Sequence, residues 1–499
     1  MKHIISISDF KKEEIDRIVE GGREMIPYAQ KKITPPAAMV KDKPKVCLLF
    51  LEPSTRTLGS YEEAARLLEW PTRIVAGPET TSLIKKESFA NTVRMFATQG
   101  AAILVIRSKE EGAARFAAEI LEKSGFNNVS IQNGGDGANQ HPSQTFLDRL
   151  TIFQTLGRLK NFTFGFLGDL KYSRTVHSLL SSFTPEDKIQ FKLVSCPEIR
   201  LPLRYKRNLN ISESESLDRL KDCDVVYATR IQEERFSDPT ELKRVKGRYR
   251  ITKDILDSWK QEVKIMHPMP YVDEISPEIR SDSRVIIDKQ AWYGIPTRMS
   301  LLLWSNQHRF IEAPVSKTPE LKKEIIREAE IDEYLAGQKK EEKYFRPIRN
   351  GTVLDHLYLG TGDKIKKCLR ASKIFGQNSV VHSIEGVPSQ KLGIKDILIL
   401  ENVFIPEYLF GLISFIAPQV TFNVLKDNRI RKIKVGIPEE IFGVNFLLRC
   451  PNNLCITNYD PEAETKFKIL KFSENEKEFP LRCNYCEREF SREEIIKTI

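Results

Sequence analysis

The chain has 499 residues, of which 40% are hydrophobic and 29% are charged. That length predicts two to four domains, and that composition is ordinary for a globular protein, so a wholly disordered or collagen-like chain is excluded. The 78 Lys and Arg residues exceed the 68 Asp and Glu residues, giving a formal net charge of +10 without a basic tail. Anionic small substrates explain this excess as well as a polyanion would, and we expect no nucleic-acid partner.

The apolar runs of the sequence are short. The run Ala101–Ile106 is among the longest, far below the ~18 residues that a membrane span needs. The first residues, MKHIISISDFKKEE, carry charges where a signal peptide needs an apolar stretch. We therefore expect a cytoplasmic protein with no membrane partner.

Residues 1–310 alternate short β-type runs with helical stretches. The candidate strands, in chain order, are Val46–Leu51, Ala101–Ile106, Val129–Gln132, Phe162–Leu167, Ile189–Val194, Asp224–Ala228 and Val263–Met266. The amphipathic segments between them include Gly112–Lys123, Gln144–Leu156 and Thr175–Phe183. This alternation predicts an α/β fold with parallel sheets and helices on both faces. We place the join of two such domains, 1–145 and 146–310, at the segment Gln144–Leu156.

Residues 311–342 change in character. They are rich in charge and carry a weak helical stripe of Leu321, Ile325, Ile326 and Ile331, so we predict a charged, partly helical linker. Short strands and one helix near Pro406–Ile416 then predict an α+β domain over 343–440. A small cysteine-bearing module over 441–499 ends the chain.

Four of the eight cysteines cluster in that module. Cys450-x4-Cys455 and Cys483-x2-Cys486 have the spacing of a tetrahedral zinc site, and a cytoplasmic chain should not hold structural disulfides. Four thiolates leave no open position, so the sequence predicts one structural zinc per chain and no catalytic metal. Nucleic-acid binding by this module is disfavoured because CNYCEREFSREE is acidic. The remaining thiols are expected to be buried and free: Cys47, Cys196, Cys223 and Cys368.

The strongest local motif is FLEPSTRTLGS, residues 50–60. A strand ends at Leu51, and a helix is predicted to begin within Ser54–Arg56, which brings hydroxyls, backbone N–H groups and an arginine to a helix N-terminus. That arrangement suits a phosphate, although an ordinary helix cap with a surface arginine has the same pattern.

Further polar residues follow other predicted strands. Arg107 ends the run ILVIR, and His141 lies between a strand and a helix, with Gln144 shortly after it. The carboxyl ends of parallel strands face the ligand crevice, so these side chains suggest polarisation of a carbonyl oxygen. The backbone carbonyls of HPMP, residues 267–270, could accept hydrogen bonds from an amide nitrogen.

These motifs together resemble a known family. STRT, the loop SLIKK, HPSQTFLD, GDLKYSRTVHSL, TRIQEER and HPMPYVDE are similar, in order, to the catalytic chain of aspartate carbamoyltransferase. Residues 344–499 resemble the regulatory chain through RNGTVLDH, IKDILILEN, APQVTFN and the four cysteines. The resemblance implies a fusion of the two chains. It would comprise two doubly wound parallel-sheet domains of the carbamoyltransferase fold, an α+β nucleotide-binding domain and a zinc-ribbon-like module.

The resemblance also implies a reaction. Carbamoyl phosphate and L-aspartate would give N-carbamoyl-L-aspartate and phosphate, the committed step of de novo pyrimidine (UMP) biosynthesis. Two alternatives remain: a carbamoyltransferase with another amino-acid acceptor, and a non-catalytic zinc-ribbon binding protein. Arg230 in TRIQEER favours a dicarboxylate, and the sequence has HPMP and lacks the SMG motif of the sister ornithine enzymes.

Residue roles follow from the motif match. The carbamoyl phosphate site would comprise Ser54, Thr55, Arg56, Thr57, Arg107, His141, Gln144 and the carbonyls of Met269 and Pro270. The aspartate site would comprise Lys86, Arg174, Arg230 and Gln232. Arg56, Lys86, Arg107 and His141 would be catalytic. Ser82 and Lys86 would enter from a neighbouring subunit, which implies a homo-oligomer built on catalytic trimers. Glu52 would pair with Arg174 and Arg235 across the domain gap.

Three departures from the family pattern concern Tyr271, the short segment AWYGIPTR, and Ile399. Tyr271 stands where the family has an arginine, and Ile399 stands where the regulatory chain has a lysine in its nucleotide pocket. The residues that still match the pocket region are Arg346, Asp355, His356, Lys395 and Asn423. We expect a nucleotide effector of the CTP or ATP type.

Overall fold

The structure, a computed structural model, describes residues 3–77, 79, 86–233, 236, 238–308, 322–333, 348–443, 447–470 and 479–499. The chain forms two compact units, Met1–Ala313 and Pro314–Ile499. We refer to them as the catalytic unit and the regulatory unit. Among the described residues, no helix combines the length and apolarity that a membrane crossing requires.

The catalytic unit contains two fully parallel sheets. The first has the order β2-β1-β3-β4 and consists of β1 (Val46–Phe50), β2 (Thr72–Ala76), β3 (Ile103–Ser108) and β4 (Ser130–Asp136). The second has the order β7-β6-β5-β8-β9 and consists of β5 (Thr163–Gly168), β6 (Gln190–Val194), β7 (Asn210–Ser214), β8 (Val225–Thr229) and β9 (Lys264–Met266). The predicted parallel α/β architecture is confirmed, including all seven predicted strands.

Eleven α-helices are described in this unit. They are α1 (Lys12–Glu24), α2 (Ile26–Ala29), α3 (Ala37–Val40), α4 (Thr55–Leu67), α5 (Phe89–Thr98), α6 (Ala113–Lys123), α7 (Pro142–Leu156), α8 (Arg174–Ser181), α9 (Pro239–Val245), α10 (Lys253–Ser258) and α11 (Ile287–His308). Helix α7 joins the two sheets along the chain, and almost every residue in its first three turns is buried. The short segment AWYGIPTR lies inside the continuous helix α11.

The regulatory unit begins with an antiparallel sheet of order β10-β15-β14-β11-β13-β12. Its strands are β10 (Lys323–Glu330), β11 (Gly351–Leu357), β12 (Val380–Ser389), β13 (Gly393–Glu401), β14 (Thr421–Lys426) and β15 (Arg429–Val435). Helices α12 (Thr361–Ala371) and α13 (Phe410–Ile416) accompany it. A second antiparallel sheet, β16 (Glu440–Phe442), β17 (Lys466–Ile469), β18 (Pro480–Cys483) and β19 (Glu489–Ser491), is followed by α14 (Arg492–Ile496).

The prediction of a helical stripe in the linker is wrong for residues 323–330. This segment is strand β10, which pairs antiparallel with β15. The β-branched Ile325 and Ile326 suit a strand, and pairing of this segment with β15 satisfies backbone groups that the edge of the sheet would otherwise expose. Leu321 lies outside the described residues.

Candidate active site and metal-binding site

A cavity of about 770 Å³ opens where strands of both parallel sheets end. Twelve of the predicted substrate-binding residues line it: Ser54, Thr55, Arg56, Thr57, Arg107, His141, Gln144, Arg174, Arg230, Gln232, Met269 and Pro270. They lie at the ends of β1, β3, β4, β5, β8 and β9 or directly after them. The topology therefore brings together six chain segments, at the edge where parallel sheets bind ligands.

The N-terminus of α4 forms one wall of the cavity. Ser54 is the N-cap residue and Thr55 is the first helical residue, as predicted, and the Ser54 side chain makes no capping hydrogen bond. The first backbone N–H groups of a helix have no partner within the helix and carry partial positive charge. Together with Arg56 they form a wall that suits an anion.

Positive charge dominates the cavity wall. Its described lining residues include one carboxylate, Glu52, and the guanidinium groups of Arg56, Arg107, Arg174, Arg230 and Arg298. Glu52 Oε2 lies 3.2 Å from Arg107 Nη2 and 3.2 Å from both terminal nitrogens of Arg174. The predicted Glu52–Arg174 pair is thus present, while Arg235 lies outside the described residues. Because one carboxylate serves two guanidinium groups, the wall keeps a net positive charge.

Two of these arginines are held in place by backbone carbonyls. Arg174 Nη1 donates to Gly137 O at 2.8 Å, and Arg107 Nη1 donates to Gly134 O at 3.2 Å. Burial, followed by the charge of Arg174, lowers the pKa of Arg107 to about 9. Arg107 therefore remains a cation at neutral pH, and its charge is only partly screened by solvent.

His141 is buried at the base of the cavity. Its backbone N–H donates to Ser178 Oγ at 2.9 Å, which ties the loop after β4 to α8. Burial, and then the charges of Arg174, Arg107 and Arg298, hold the pKa of His141 well below its ordinary value. The imidazole is accordingly neutral at physiological pH and can donate one hydrogen bond to a carbonyl oxygen.

The side-chain amide of Gln144 is oriented by a buried carboxylate that the sequence did not single out. Gln144 Nε2 donates to Asp148 Oδ1 at 3.0 Å, and the same carboxylate accepts from Gln290 Nε2 at 2.7 Å and from Tyr227 OH at 2.8 Å. Asp148 is fully buried, and burial raises its pKa to about 7. Because the Gln144 nitrogen is engaged, its oxygen remains as the acceptor for a ligand N–H group.

Two further lining residues, His267 and Arg298, were also missed. His267 Nδ1 accepts from the Met269 backbone N–H at 2.8 Å, which places the ring proton on Nε2. Burial, then Arg56 and Arg230, lower the pKa of His267 to about 3, so the ring is neutral. Arg298 lies on α11, and its guanidinium carbon is 5.1 Å from the centre of the Tyr61 ring. An arginine within the apolar run TRMSLLLW was the available signal.

Lys86 lies outside this group. It is exposed, and it is not among the described residues that line the cavity of its own chain. Ser82 lies outside the described residues. Tyr271, at the position of the expected arginine, packs beside the Arg280 guanidinium, whose carbon is 5.0 Å from the ring centre.

The four clustered cysteines of the regulatory unit form a compact group. All are buried, and their Sγ atoms lie within 4.8 Å of one another. Cys450 Sγ is 3.6 Å from Cys486 Sγ, and Cys455 Sγ is 3.8 Å from Cys483 Sγ. A tetrahedral metal with M–S bonds of about 2.3 Å separates its sulfur ligands by about 3.8 Å, so the geometry fits a four-thiolate metal site. The other four cysteines are buried and free, as predicted.

Comparison with known proteins places these features in one family. Models of the aspartate/ornithine carbamoyltransferase carbamoyl-P binding and Asp/Orn binding domains match residues 2–154 and 160–305. Models of the aspartate carbamoyltransferase regulatory chain, its allosteric and metal binding domains, match residues 344–436 and 439–496. The aspartate carbamoyltransferase catalytic subunit of Methanocaldococcus jannaschii is 41% identical over 309 residues, which are 60% of this chain and 97% of that protein. The chain belongs to the aspartate carbamoyltransferase family.

Other relatives agree with this assignment. The catalytic subunit of Methanosarcina barkeri aspartate carbamoyltransferase is 39% identical, covering 60% of this chain and 96% of that protein. The solved catalytic subunit of M. jannaschii aspartate transcarbamoylase has a TM-score of 0.55 at 38% identity, over 62% of this chain and all of that one. The Trypanosoma cruzi enzyme in complex with carbamoyl aspartate and phosphate has a TM-score of 0.55 at 28% identity, over 60% and 95% of the two chains.

This aspartate carbamoyltransferase therefore joins the catalytic part of the family to its regulatory region in one polypeptide, as the sequence predicted. It is a carbamoyl transferase, with parallel α/β catalytic domains, an allosteric domain and a metal-binding domain. Neither a different amino-acid acceptor nor a non-catalytic binding protein is favoured by these matches.

The predicted effector residues of this aspartate carbamoyltransferase lie on the regulatory sheet. Lys395 Nζ is 2.8 Å from Asp355 Oδ1, and His356 Nδ1 is 3.1 Å from Asp355 Oδ2. Burial raises the pKa of Asp355, but His356 and Lys395 outweigh that effect and hold it below its ordinary value. Asn423 Nδ2 donates to Val353 O at 3.3 Å. We call Asp355, His356, Lys395 and Asn423 the polar patch; Arg346 lies outside the described residues.

Proposed function

We propose that the residues lining the cavity transfer the carbamoyl group of carbamoyl phosphate to L-aspartate, in the committed step of pyrimidine biosynthesis. The observation that carries this proposal is the excess of positive charge on the wall, where five arginines face one carboxylate. The two substrates together bring three or four negative charges. A cavity of about 770 Å³ also has room for both.

Carbamoyl phosphate would bind at the N-terminus of α4. Its phosphate is held by Ser54, Thr55, Arg56 and Thr57, through hydroxyls, backbone N–H groups and a guanidinium. Arg107 and neutral His141 donate to the carbamoyl oxygen. The amide nitrogen donates to Gln144 Oε1 and to the carbonyls of Met269 and Pro270.

The transfer step requires positioning more than covalent help from the protein. The aspartate amine attacks the carbamoyl carbon, the new C–N bond forms, and the C–O bond to phosphate breaks. The oxyanion that develops is stabilised by Arg107 and His141, and the departing phosphate takes the proton of the amine. Because carbamoyl phosphate is already activated, we propose that no catalytic metal takes part.

The second substrate would lie against the aspartate domain. Arg174, Arg230 and Gln232 would bind its two carboxylates. The backbone N–H of Gln232 donates to Asp169 Oδ2 at 3.1 Å, which supports this assignment by fixing the residue at the cavity. Lys86, which is exposed and is not among the described residues that line the cavity of its own chain, would reach the cavity of a neighbouring subunit. The proposal therefore includes a homo-oligomer built on catalytic trimers.

The regulatory unit would bind zinc and a nucleotide. Zinc, held by the four cysteines, would supply structural cross-linking of the module. A nucleotide of the CTP or ATP type would bind at the polar patch. We further propose cytoplasmic localisation and the domain limits 1–145, 146–310, 311–342, 343–440 and 441–499.

A colorimetric assay for the ureido group of the product, carbamoyl-aspartate where L-aspartate is supplied, tests the reaction of the purified chain directly. L-Aspartate should give product, and L-ornithine supplied at the same concentration should not. Product from ornithine alone, or no product from either amino acid, would refute the assignment of the substrate.

Elemental analysis of the same preparation should find one zinc per chain. A truncation that ends at Phe310 should keep activity and lose any response to ATP or CTP.

A further inference from the structure

The linker segment 322–333 contacts the regulatory sheet through very few buried side chains. Along strand β10, Ile325 and Ile326 are 52% and 49% exposed. Immediately after the strand, Ile331 is 1% exposed, and its backbone N–H donates to Asn428 O at 3.1 Å. Ala329 packs partly buried beside it. The strand itself is held by backbone pairing with β15, whereas the apolar anchorage of the segment depends on one large side chain, Ile331.

Ile331 is buried in an apolar cluster on one face of the sheet. The other buried members of this cluster are Ile348, Val387, Ile397, Ile399, Leu425 and Ile430. Apart from Ile348, they come from strands β12, β13, β14 and β15. We call this group the covered apolar face, because Ile331 lies over side chains of the sheet itself.

The covered apolar face and the polar patch are two parts of the same sheet face. Lys395 shares strand β13 with Ile397 and Ile399, and residues two apart on a strand point to the same side. Val353 lies opposite Ile399 on one side and opposite Asn423 on the other. The Asn423 side-chain oxygen is buried without a hydrogen-bond partner among the described residues. A ligand bound at the polar patch would thus extend onto the apolar cluster.

Ile399 provides apolar surface for a neighbouring apolar group. Ile399 is 1% exposed and packs in the same cluster as Ile331. An isoleucine offers no charge to a phosphate, but it provides the apolar area that a nucleotide base needs. Ile331 of the linker covers this apolar surface.

We propose that the linker, through Ile331, competes with the effector for the covered apolar face. This inference rests on the proposed nucleotide binding at the polar patch. When the linker is docked, the base has no apolar surface; when a nucleotide binds, Ile331 leaves the face and the segment 329–332 is released. The chain carries its own competitor for the regulatory site.

Besides the backbone pairing of β10 with β15, side chains of the segment make exposed ion pairs that suit reversible docking of its end. Glu328 Oε1 lies 2.9 Å from Arg431 Nε, and Asp332 Oδ1 lies 3.0 Å from Arg349 Nη2. Both pairs are exposed, and exposed ion pairs contribute little to stability. Burial of one isoleucine corresponds to about a 10- to 100-fold preference for the docked state. A ligand of ordinary affinity can reverse a preference of that size.

The test uses the full chain with Ile331→Asp, and Ile326→Asp as the matched control on the exposed part of the same segment. Hydrogen exchange followed by mass spectrometry reports on docking, and calorimetric titration with ATP and with CTP reports on binding. Ile331→Asp should speed exchange in 327–332 and tighten nucleotide binding by up to about 10- to 100-fold, because the competitor is removed. Ile326→Asp should change neither. Ile331→Ala, a milder change, should shift both measurements in the same direction.

Competition by the linker and nucleotide binding at the polar patch can fail independently in these measurements. Faster exchange with tighter binding supports competition, as does faster exchange of 327–332 when nucleotide is added to the unaltered chain. Equal affinity in the unaltered chain and in Ile331→Asp overturns competition but leaves the effector site standing. Binding of neither nucleotide to any variant overturns the effector proposal itself and, with it, the competition. Exchange that is unchanged by Ile331→Asp overturns the docking role of Ile331.

Discussion

The cavity of the catalytic unit and the polar patch of the regulatory unit both gather partly buried charged groups, but they neutralise the charge differently. In the cavity, Glu52 is shared by Arg107 and Arg174, and the wall remains positive. In the polar patch, Asp355 contacts both Lys395 and His356, so the local charges largely cancel. The arginines of the cavity have too few carboxylates beside them, so the cavity favours anionic substrates. The polar patch is nearly neutral, so a ligand there also needs apolar area to bind.

The largest expected effect concerns the cationic Arg107 and the neutral His141, the two donors that we propose to polarise the carbamoyl oxygen. His141→Ala and Arg107→Ala should each lower kcat by about 10²–10³, because each removes a donor to the developing oxyanion. Arg230→Ala should instead mainly raise the KM for aspartate. Steady-state kinetics with both substrates distinguish these cases, and Arg66→Ala, on the exposed face of α4, is the control. Small and equal effects of all three would show that the positive wall does not act as assigned.

A second prediction concerns whether the cavity is complete within one chain. Lys86→Ala and His141→Ala are each expected to be inactive. After the two are unfolded together in equal amounts and reassembled, a site works only if its His141 and its neighbour's Lys86 are both intact. With random mixing in closed trimers, roughly a quarter of the sites should recover.

A matched pair controls for this experiment. Arg107 and His141 line the same cavity, so mixing Arg107→Ala with His141→Ala should recover far less than a quarter of the sites. If both mixtures stay equally inactive while reassembly is verified, Lys86 acts within its own chain and the shared-site proposal fails.

Much of the cavity could be predicted because its residues lie at the ends of strands. The apolar run ending in Arg107 and the position of His141 between a strand and a helix are local signals, and parallel topology brings such ends together. Strands β2 and β7 were missed because both are edge strands with polar residues, and their sequences TRIVA and NISES lack a long apolar run. Their existence depends on pairing with β1 and β6.

The buried network around Gln144 could not have been predicted in the same way. Asp148 lies four residues after Gln144, but Tyr227 and Gln290 are 79 and 142 residues away from it in sequence. The prediction for the linker was wrong for the opposite reason: its local sequence pattern was clear, but pairing with a distant strand decided the structure. Ile325 and Ile326 have a locally plausible helical spacing with Ile331, yet residues 323–330 pair with the open edge of β15 as a strand, and among the described linker residues only 331–333 are helical.

A third prediction tests whether the cavity depends on the buried carboxylate that orients Gln144. Asp148→Asn keeps the shape but presents an amide that cannot accept from three donors at once, so Gln144 loses its fixed orientation. We expect about a tenfold fall in kcat/KM for carbamoyl phosphate, the size of one strong hydrogen bond. Asp222→Asn, at an exposed carboxylate paired with Lys192, should leave the kinetics unchanged. An unaltered kcat/KM in Asp148→Asn would mean that Gln144 is oriented by something else.

The smallest effect concerns pH and the same carboxylate. Burial raises the pKa of Asp148 to about 7 in the folded protein, against about 3.9 when unfolded. Between pH 4 and 7 the folded state therefore holds a proton that the unfolded state has released, so the stabilising contribution of Asp148 is complete below about pH 4 and is lost as the pH rises. The loss is at most about 1.4 kcal/mol per pH unit.

Asp148→Asn removes this titration. The quantity to measure is the free energy of unfolding of the unaltered chain minus that of the variant. This difference should become smaller from pH 5 to pH 7. Urea unfolding of the catalytic unit at pH 5, 6 and 7, followed by tryptophan fluorescence, measures that difference. Asp222→Asn is the control, because the pKa of Asp222 is shifted in the opposite direction: Lys192 lowers it. The stabilising contribution of Asp222 is therefore lost only at lower pH. The corresponding difference in the free energy of unfolding should be flat between pH 5 and pH 7. A flat or rising difference for Asp148→Asn would show that the carboxylate is ionised in the folded protein. It would then add a fully buried negative charge near a cavity wall on which Glu52 is the only acid among the described lining residues.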